Sequence, residues 1–204
     1  MTMSETAERL IPTIAEVDRL NAHDPRHEQL AGALRPREIV YSERMSACLD
    51  RIYPAASEAL RIAARAQHIC RWEIPRHQFA LGREGYNAWR STCREHHAGL
   101  VTAIMQSCGY SDLEIAHVVK LISKGDLKRD PESQALENVV GVVFVEHYLA
   151  AFVTEHAEYD ESKLIGILRK TMRKMDAAGH AAIGALDMPP ATRRLVEIAM
   201  KSSD

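Results

Sequence analysis

Apolar residues recur three and four positions apart along almost the whole chain, the spacing that gathers them on one face of an α-helix. The sequence contains no strand-like alternation and no hairpin signal. We therefore predict an all-α fold, with a polar connector at residues 21–35 and a loop or lid at 76–86. The predicted helices cover residues 8–20, 37–53, 55–72, 87–108, 111–123, 130–152, 160–175, 180–186 and 191–200.

Local signals fix several of these helix ends. Ser111 followed by Glu114 has the spacing of a capping box. Asp130 and Pro131 supply an N-cap and a first-turn proline for the next helix. Gly109 suits the left-handed position that follows a helix end.

Length and composition indicate one helical domain. The chain has 204 residues, of which 46% are hydrophobic and only 5% aromatic, a balance that favours helices packed through small and straight-chain side chains. We predict a single domain made of an N-terminal helix and connector (1–34), a core (35–155) and a C-terminal helical extension (156–204). The four cysteines show no paired spacing and are interpreted as core residues of a reducing compartment.

No signal peptide is recognisable at the N-terminus. The longest apolar stretch, residues 139–145, is too short to cross a bilayer. We therefore expect a cytoplasmic protein that does not interact with membranes.

Positive charge is concentrated in residues 61–95. This stretch holds seven arginines, no lysine, three glutamates and both tryptophans, although the whole chain has a net charge of −2. Arginine-rich segments favour recognition of phosphate or carboxylate groups, and arginine with tryptophan also suits RNA. The alternative is a set of solvated helix faces carrying ion pairs.

Candidate ligands for a metal come from three predicted helices. His68 lies in the segment AARAQHICRWEIPRH, His97 lies on the helix that carries Arg94, and Glu137 lies in the most apolar helix. Two imidazoles and one carboxylate suit a transition metal with open coordination positions. The alternatives are hydrogen-bonded core histidines and a first-turn carboxylate favoured by the helix dipole.

The order of these motifs resembles the HD-domain superfamily of all-helical, metal-dependent phosphohydrolases. AARAQHI resembles its first histidine motif at His68, HAGLVTAIMQSCG its second at His97, and LENVVGVVF its last helix, led by Glu137. The resemblance implies an HD-domain-like helical bundle with a divalent iron, manganese, zinc or nickel ion on these three residues. Ile69 replaces the aspartate of the HD pair, and Tyr41 and Lys124 stand at two other ligand positions.

A closer likeness is to an uncharacterised family of HD-like helical proteins, a domain of unknown function. Its motifs RMxxxLDR, AARAQHIxRWEIPR, GYxxWR, DPExQxLExV and LRKTxxKM are present at residues 44–51, 63–76, 85–90, 130–139 and 168–175. These motifs span most of the chain. The family has no established activity. The likeness therefore supports a prediction of the fold, and the function has to be predicted from individual residues.

The expected function is metal-dependent hydrolysis of a phosphoester or nucleotide. Glu73 is expected as the general base or as a residue that orients a metal ligand, and Lys124 as a fixed positive charge at a former ligand position. The residues expected to contact the substrate are Arg71, Arg76, Arg94 and Tyr41.

Three other functions remain open from the sequence. The first is a non-catalytic module that binds a nucleotide or other anionic ligand through the same arginines and Lys124. The second is a structural protein whose polar cluster satisfies itself in the core, and the third is an RNA-binding protein. A small anionic or phosphorylated partner is expected if the protein is the enzyme or the binding module. An oligomer is compatible with every one of these functions.

Overall fold

The computed structural model describes residues 3–30, 32–125 and 127–201, with backbone alone for 3–7. Residues 1–2 and 202–204, which end two of the predicted ranges, lie outside the described residues. The all-α prediction is confirmed. The described residues form ten α-helices: α1 Met3–Asn21, α2 Arg37–Ile52, α3 Glu58–Arg65, α4 Gly82–Ser107, α5 Asp112–Ile122, α6 Pro131–Val143, α7 Leu149–Glu155, α8 Glu161–Met172, α9 Ala177–Gly184 and α10 Pro190–Lys201.

The chain forms two compact units. The first unit comprises Met1–Asp50 and Pro54–Gly125, and the second comprises Arg51–Tyr53 and Asp126–Asp204. The predicted core at 35–155 therefore draws residues from both units. The arrangement of the chain as a single domain stays a prediction.

Helix packing builds the core of the first unit. α3 packs against α5, α4 packs against α5, and α1 contacts both α3 and α4. Arg9 fastens α1, because its guanidinium lies 2.9 Å from Glu114 and stacks over the ring of Tyr110. The largest fully buried side chains of this unit are Met45, Leu49, Ile62, Ile69, Met105, Leu121 and Ile122.

Three of the four cysteines lie in the core, as the sequence predicts, whereas Cys108 is only partly buried; the reducing compartment stays a prediction. Cys48, Cys70 and Cys93 are buried, and within the described residues none of the four forms a disulfide. Burial raises the pKa of the Cys70 thiol to about 12, so this thiol stays protonated and unreactive.

A short hairpin replaces part of the predicted connector. Strands β1 (His27–Leu30) and β2 (Ala33–Pro36) pair antiparallel, with His27 opposite Pro36. The prediction that the chain contains no strand is wrong. Each strand has only four residues, and none of these eight residues is fully buried. A hairpin of this kind needs no alternation of apolar and polar side chains in its sequence.

The third predicted helix ends early. α3 stops at Arg65, and the chain turns through Cys70, whose φ of 51° is left-handed. The backbone N–H of Cys70 donates to the side-chain oxygen of Asn21 at 3.1 Å. His68 therefore lies in a turn, where the sequence placed it on a helix. The apolar pattern continues past α3 because Ala66 and Ile69 are buried without being helical.

The predicted loop at 76–86 is shorter in the structure. 3₁₀ turns form at Arg71–Glu73 and Arg76–Gln78, and α4 begins at Gly82, five residues before the predicted start.

The second unit is organised around its most apolar helix. α6 continues through a π-helical turn, Phe144–Tyr148, into α7, which gives a helical run from Pro131 to Glu155. This run has 25 residues and a window of mean hydropathy 1.5, long and apolar enough to cross a membrane by length and composition; half of that window is buried inside the protein. The apolar helical stretch is therefore longer than the seven residues, 139–145, that the sequence analysis took as its full extent.

α6 packs on α9, and α8 packs on α10. Asn138 of α6 is fully buried, donates to the hydroxyl of Tyr53 and to Asp176, and accepts from Gln134. These hydrogen bonds join three separate segments of the second unit.

Candidate functional site

Five side chains of the first unit form the group that we call the His68 cluster: Glu38, Tyr41, His68, Arg71 and His97. Glu38 and Tyr41 come from α2, His68 and Arg71 from the turn after α3, and His97 from α4. The sequence predicted every member except Glu38. The structure thus brings residues from three distant segments into one site.

Glu38 is a buried carboxyl group held by hydrogen bonds. Its side chain is 5% exposed, and Arg26 donates to its Oε1 at 2.7 Å. Asp24 accepts from the side chain of Arg26 at 3.0 Å and from the backbone N–H of Glu38 at 3.1 Å. Burial raises the pKa of Glu38 to about 7, although Arg26 and Arg71 oppose the rise. Near neutral pH this carboxyl group therefore exists in both protonation states.

His68 lies between Glu38 and Tyr41. Its Nδ1 is 3.7 Å from Glu38 Oε2, and its ring stacks on the Tyr41 ring with centroids 4.0 Å apart and planes 11° apart. Burial, together with the positive charges of Arg71, Lys124 and Arg26 and with His97, holds the pKa of His68 well below its usual value. The imidazole is therefore neutral, and its side chain remains one quarter exposed.

His97 is a buried imidazole beside His68, with ring centroids 6.2 Å apart. In the part of the chain that the structure describes, its Nε2 has no hydrogen-bond partner. Burial lowers the pKa of His97 to about 3, with Arg71 and His96 contributing. A neutral, unpartnered nitrogen in the interior is unfavourable for stability, and with 2% of its surface exposed His97 is less accessible to a ligand than His68.

Arg71 is the cation of the cluster. Its guanidinium lies 4.5 Å over the ring of Trp89, and the indole N–H of Trp89 donates to the carbonyl of Ile74 at 2.8 Å. Among the described residues, no carboxylate lies within ion-pair distance of Arg71. Lys124, which follows α5 with a left-handed φ of 60°, adds positive charge at His68. The site therefore combines neutral imidazoles with a positive potential.

Two of the other predicted site residues, Glu73 and Arg76, have partners of their own. Glu73, expected as general base, is exposed and lies 3.0 Å from Nε2 of His96. Arg76 donates to the carbonyls of Phe79 and Ala80 at 2.9 Å, which ties it to its own loop. Arg94 is half-buried on α4, one turn before His97.

Glu137 belongs to the second unit. It lies in the second turn of α6, its side chain is 7% exposed, and its Oε1 is 3.6 Å from Nζ of Lys174. The alternative that Glu137 is a first-turn carboxylate is therefore wrong, since α6 begins six residues earlier.

A metal site made of His68, His97 and Glu137 takes two ligands from the first unit and one from the second. Within the described residues, no group of three or more histidine, cysteine, aspartate or glutamate side chains is placed to hold a metal ion. The metal and its three ligands stay predictions, and we derive no chemical step from them.

Glu38, Arg26 and Asp24 are the residues that the sequence analysis missed. In the sequence, Glu38 looks like an ordinary acidic residue in the first turn of a helix, where the dipole favours negative charge. Asp24 and Arg26 lie in what looked like a loose connector. No local signal marks them, because Asp24 and Arg26 are placed by hydrogen bonds to Glu38, 14 and 12 residues further along the chain.

Comparisons with known proteins bear on family membership. No curated protein and no solved structure matches the chain. The family model described as "Domain of unknown function (DUF4202)" matches residues 12–196. The likeness to HD-domain proteins stays a prediction. Since the match covers nearly the whole chain and agrees with the motifs quoted above, the protein belongs to this family of domains of unknown function.

Proposed function

We propose that the His68 cluster binds a small anionic ligand that carries a phosphate group, such as a nucleotide. The observation that supports this proposal is the positive potential around His68 and His97. Burial is the largest cause of the low pKa of both imidazoles; the charge of Arg71, and at His68 also that of Lys124, lowers it further. The same field that disfavours a proton on these imidazoles favours an anion beside them.

The cluster offers suitable groups for a phosphate. Arg71 presents a planar fork of N–H donors, which matches two phosphate oxygens at once. Its stacking on Trp89 restricts the guanidinium before any ligand arrives, and restriction of this kind reduces the entropic cost of binding. His68 is exposed enough to contact a ligand, whereas His97 is buried behind it in the interior.

Thermal unfolding in the presence of phosphorylated compounds tests the proposal. We expect the Tm to rise with the concentration of inorganic phosphate or of a nucleoside mono-, di- or triphosphate, because a ligand that binds only the folded state stabilises it. The rise should disappear in Arg71→Gln.

Arg90→Gln is the matched control. Arg90 also stacks on an aromatic ring, that of Tyr86 at 5.8 Å, so this variant removes an equivalent cation without touching the cluster. A wild-type protein whose Tm does not change with any of these anions would contradict the proposal.

Hydrolysis of a phosphoester is the second candidate function. The supporting observation is the carboxyl of Glu38, which has a pKa of about 7 and lies 3.7 Å from His68. A group with this pKa is suited to general acid–base catalysis at neutral pH. Glu38 thus takes the role that the sequence analysis gave to Glu73.

Two measurements test this candidate. Phosphoester turnover should be present in the wild type and lost in His68→Ala. Elemental analysis of both proteins, purified without a histidine tag, decides whether a divalent metal takes part. A metal present in the wild type and absent from the variant supports metal-dependent catalysis, whereas turnover without metal assigns the chemistry to the side chains alone.

A further inference from the structure

Glu38 is held in place more firmly than a first-turn carboxylate requires. An acidic residue that serves the helix dipole is ordinarily exposed, whereas the side chain of Glu38 is 5% exposed. Arg26 occupies its Oε1, and Asp24, with no exposed side-chain surface, holds both Arg26 and the backbone of Glu38. The second oxygen, Oε2, is the one that lies near Nδ1 of His68.

The ring of His68 is also restricted. The nearly parallel stack on Tyr41 fixes the plane of the imidazole. With the plane fixed and Nδ1 3.7 Å from Oε2, the negative charge of ionised Glu38 favours the proton of the neutral ring on Nδ1, the ring nitrogen beside it, by electrostatic attraction across a distance longer than a hydrogen bond. Nε2 is then left without a proton and can only accept a hydrogen bond.

We propose that Glu38 is a positioning residue that keeps the proton of His68 on Nδ1, so that Nε2 selects anionic ligands that carry an O–H donor. The selection of ligands by Nε2 rests on the proposed function, anion binding by the His68 cluster. The positioning of His68 by Glu38 does not depend on it. Arg71 attracts the charged oxygens, while Nε2 accepts a hydrogen bond from a protonated phosphate oxygen or a neighbouring hydroxyl. An anion with no O–H leaves Nε2 unpaired in a partly desolvated site, which costs binding free energy.

Inorganic phosphate and sulfate give a sharp comparison. At a pH of about 8.5, above the pKa of Glu38, both are tetrahedral dianions, and hydrogen phosphate differs by carrying one O–H. We expect calorimetric titration of the full-length protein to show phosphate binding about tenfold more tightly than sulfate, or better. In Glu38→Gln the ratio of the two affinities should fall towards one.

The nitrogen chemical shifts of the His68 ring give a second readout in the ligand-free protein. At a pH of about 8.5, where Glu38 is ionised, they should show the Nδ1–H form in the wild type and a change towards the Nε2–H form in Glu38→Gln. Glu43→Gln is the matched control, because Glu43 lies on the same helix and also pairs with an arginine, Arg35. Neither the affinity ratio nor the shifts should change in this control.

The outcomes separate the two proposals. Equal binding of phosphate and sulfate by the wild type leaves anion binding standing and overturns the selection of O–H donors. Failure to bind either anion overturns the proposed function and donor selection together, while the nitrogen shifts still decide whether Glu38 positions His68. An Nε2–H form in the wild type overturns the positioning role. If Glu38→Gln does not fold, the wild-type ratio and shifts remain decisive.

Discussion

Burial controls the charge of individual side chains in the His68 cluster. For Glu38 it raises the pKa to about 7, and for His97 it lowers the pKa to about 3. Both shifts favour the neutral form, because the interior solvates a charge less well than water does. At neutral pH the permanent positive charge of the cluster therefore resides on Arg71.

The free energy of unfolding should depend on pH through the titration of Glu38. A carboxyl whose pKa rises on folding binds more protons in the folded state between pH 4.5 and about 7, so the free energy of unfolding falls as the pH rises through this window. Relative to Glu38→Gln, we expect the wild type to lose about 3 kcal/mol between these limits. Urea unfolding of both proteins at several pH values measures this difference.

Glu43→Gln provides a control of opposite sign. The pKa of Glu43 is lowered by its hydrogen bond to Arg35, so this group stabilises the folded state at higher pH and loses that effect as the pH falls. A wild type and a Glu38→Gln variant with parallel pH profiles would contradict the assigned burial of Glu38.

Residue type together with the resemblance to HD-domain motifs identified His68 and His97 as candidates, and the arginine-rich segment identified Arg71. Glu38 was not predicted. Its importance depends on Arg26 and Asp24, which are placed by hydrogen bonds to it from 12 and 14 residues earlier in the chain, and no sequence spacing encodes those contacts.

At the scale of single elements, the helix starts that carry a capping signal are predicted to within one residue. Ser111 and Glu114 form the capping box, and Asp130 caps α6, because both signals act within one turn of the chain. The end of α3 is set by Asn21, which binds the backbone at Cys70 from 49 residues away. A contact of this range leaves no periodic signal in the sequence.

Two glycines in helices of the second unit should respond in opposite ways to alanine. A Cβ at Gly179 would lie 2.6 Å from Oδ1 of Asn138, which is fixed by hydrogen bonds, whereas a Cβ at Gly166 would meet nothing within 4 Å. We expect Gly179→Ala to destabilise the protein by about 1–3 kcal/mol. Gly166→Ala should stabilise it by about 0.5–1 kcal/mol.

Urea unfolding at one pH compares the two variants. Both substitutions give the helix the same gain in propensity, so their difference isolates the close approach of α9 to α6. Stabilisation by Gly179→Ala would show that Asn138 can move away, and would contradict the rigid polar network described for this unit.

At the scale of the whole molecule, composition and periodicity predicted the all-α class correctly. The grouping of helices into two compact units was not predicted. Arg51 and Ile52 end α2, and yet with Tyr53 they belong to the second unit, where Tyr53 accepts a hydrogen bond from Asn138. Such grouping depends on contacts between residues far apart in the chain, and local periodicity carries no information about them.

The stacking of Arg71 on Trp89 makes the indole an optical reporter. The chain has two tryptophans, both in the first unit, and the one at position 89 lies directly under the guanidinium proposed to meet the ligand. An anion that pairs with the stacked guanidinium changes the charge and polarity next to the indole, and with them the wavelength and intensity of its emission. Occupancy of the site can therefore be followed in the unlabelled protein by its own fluorescence.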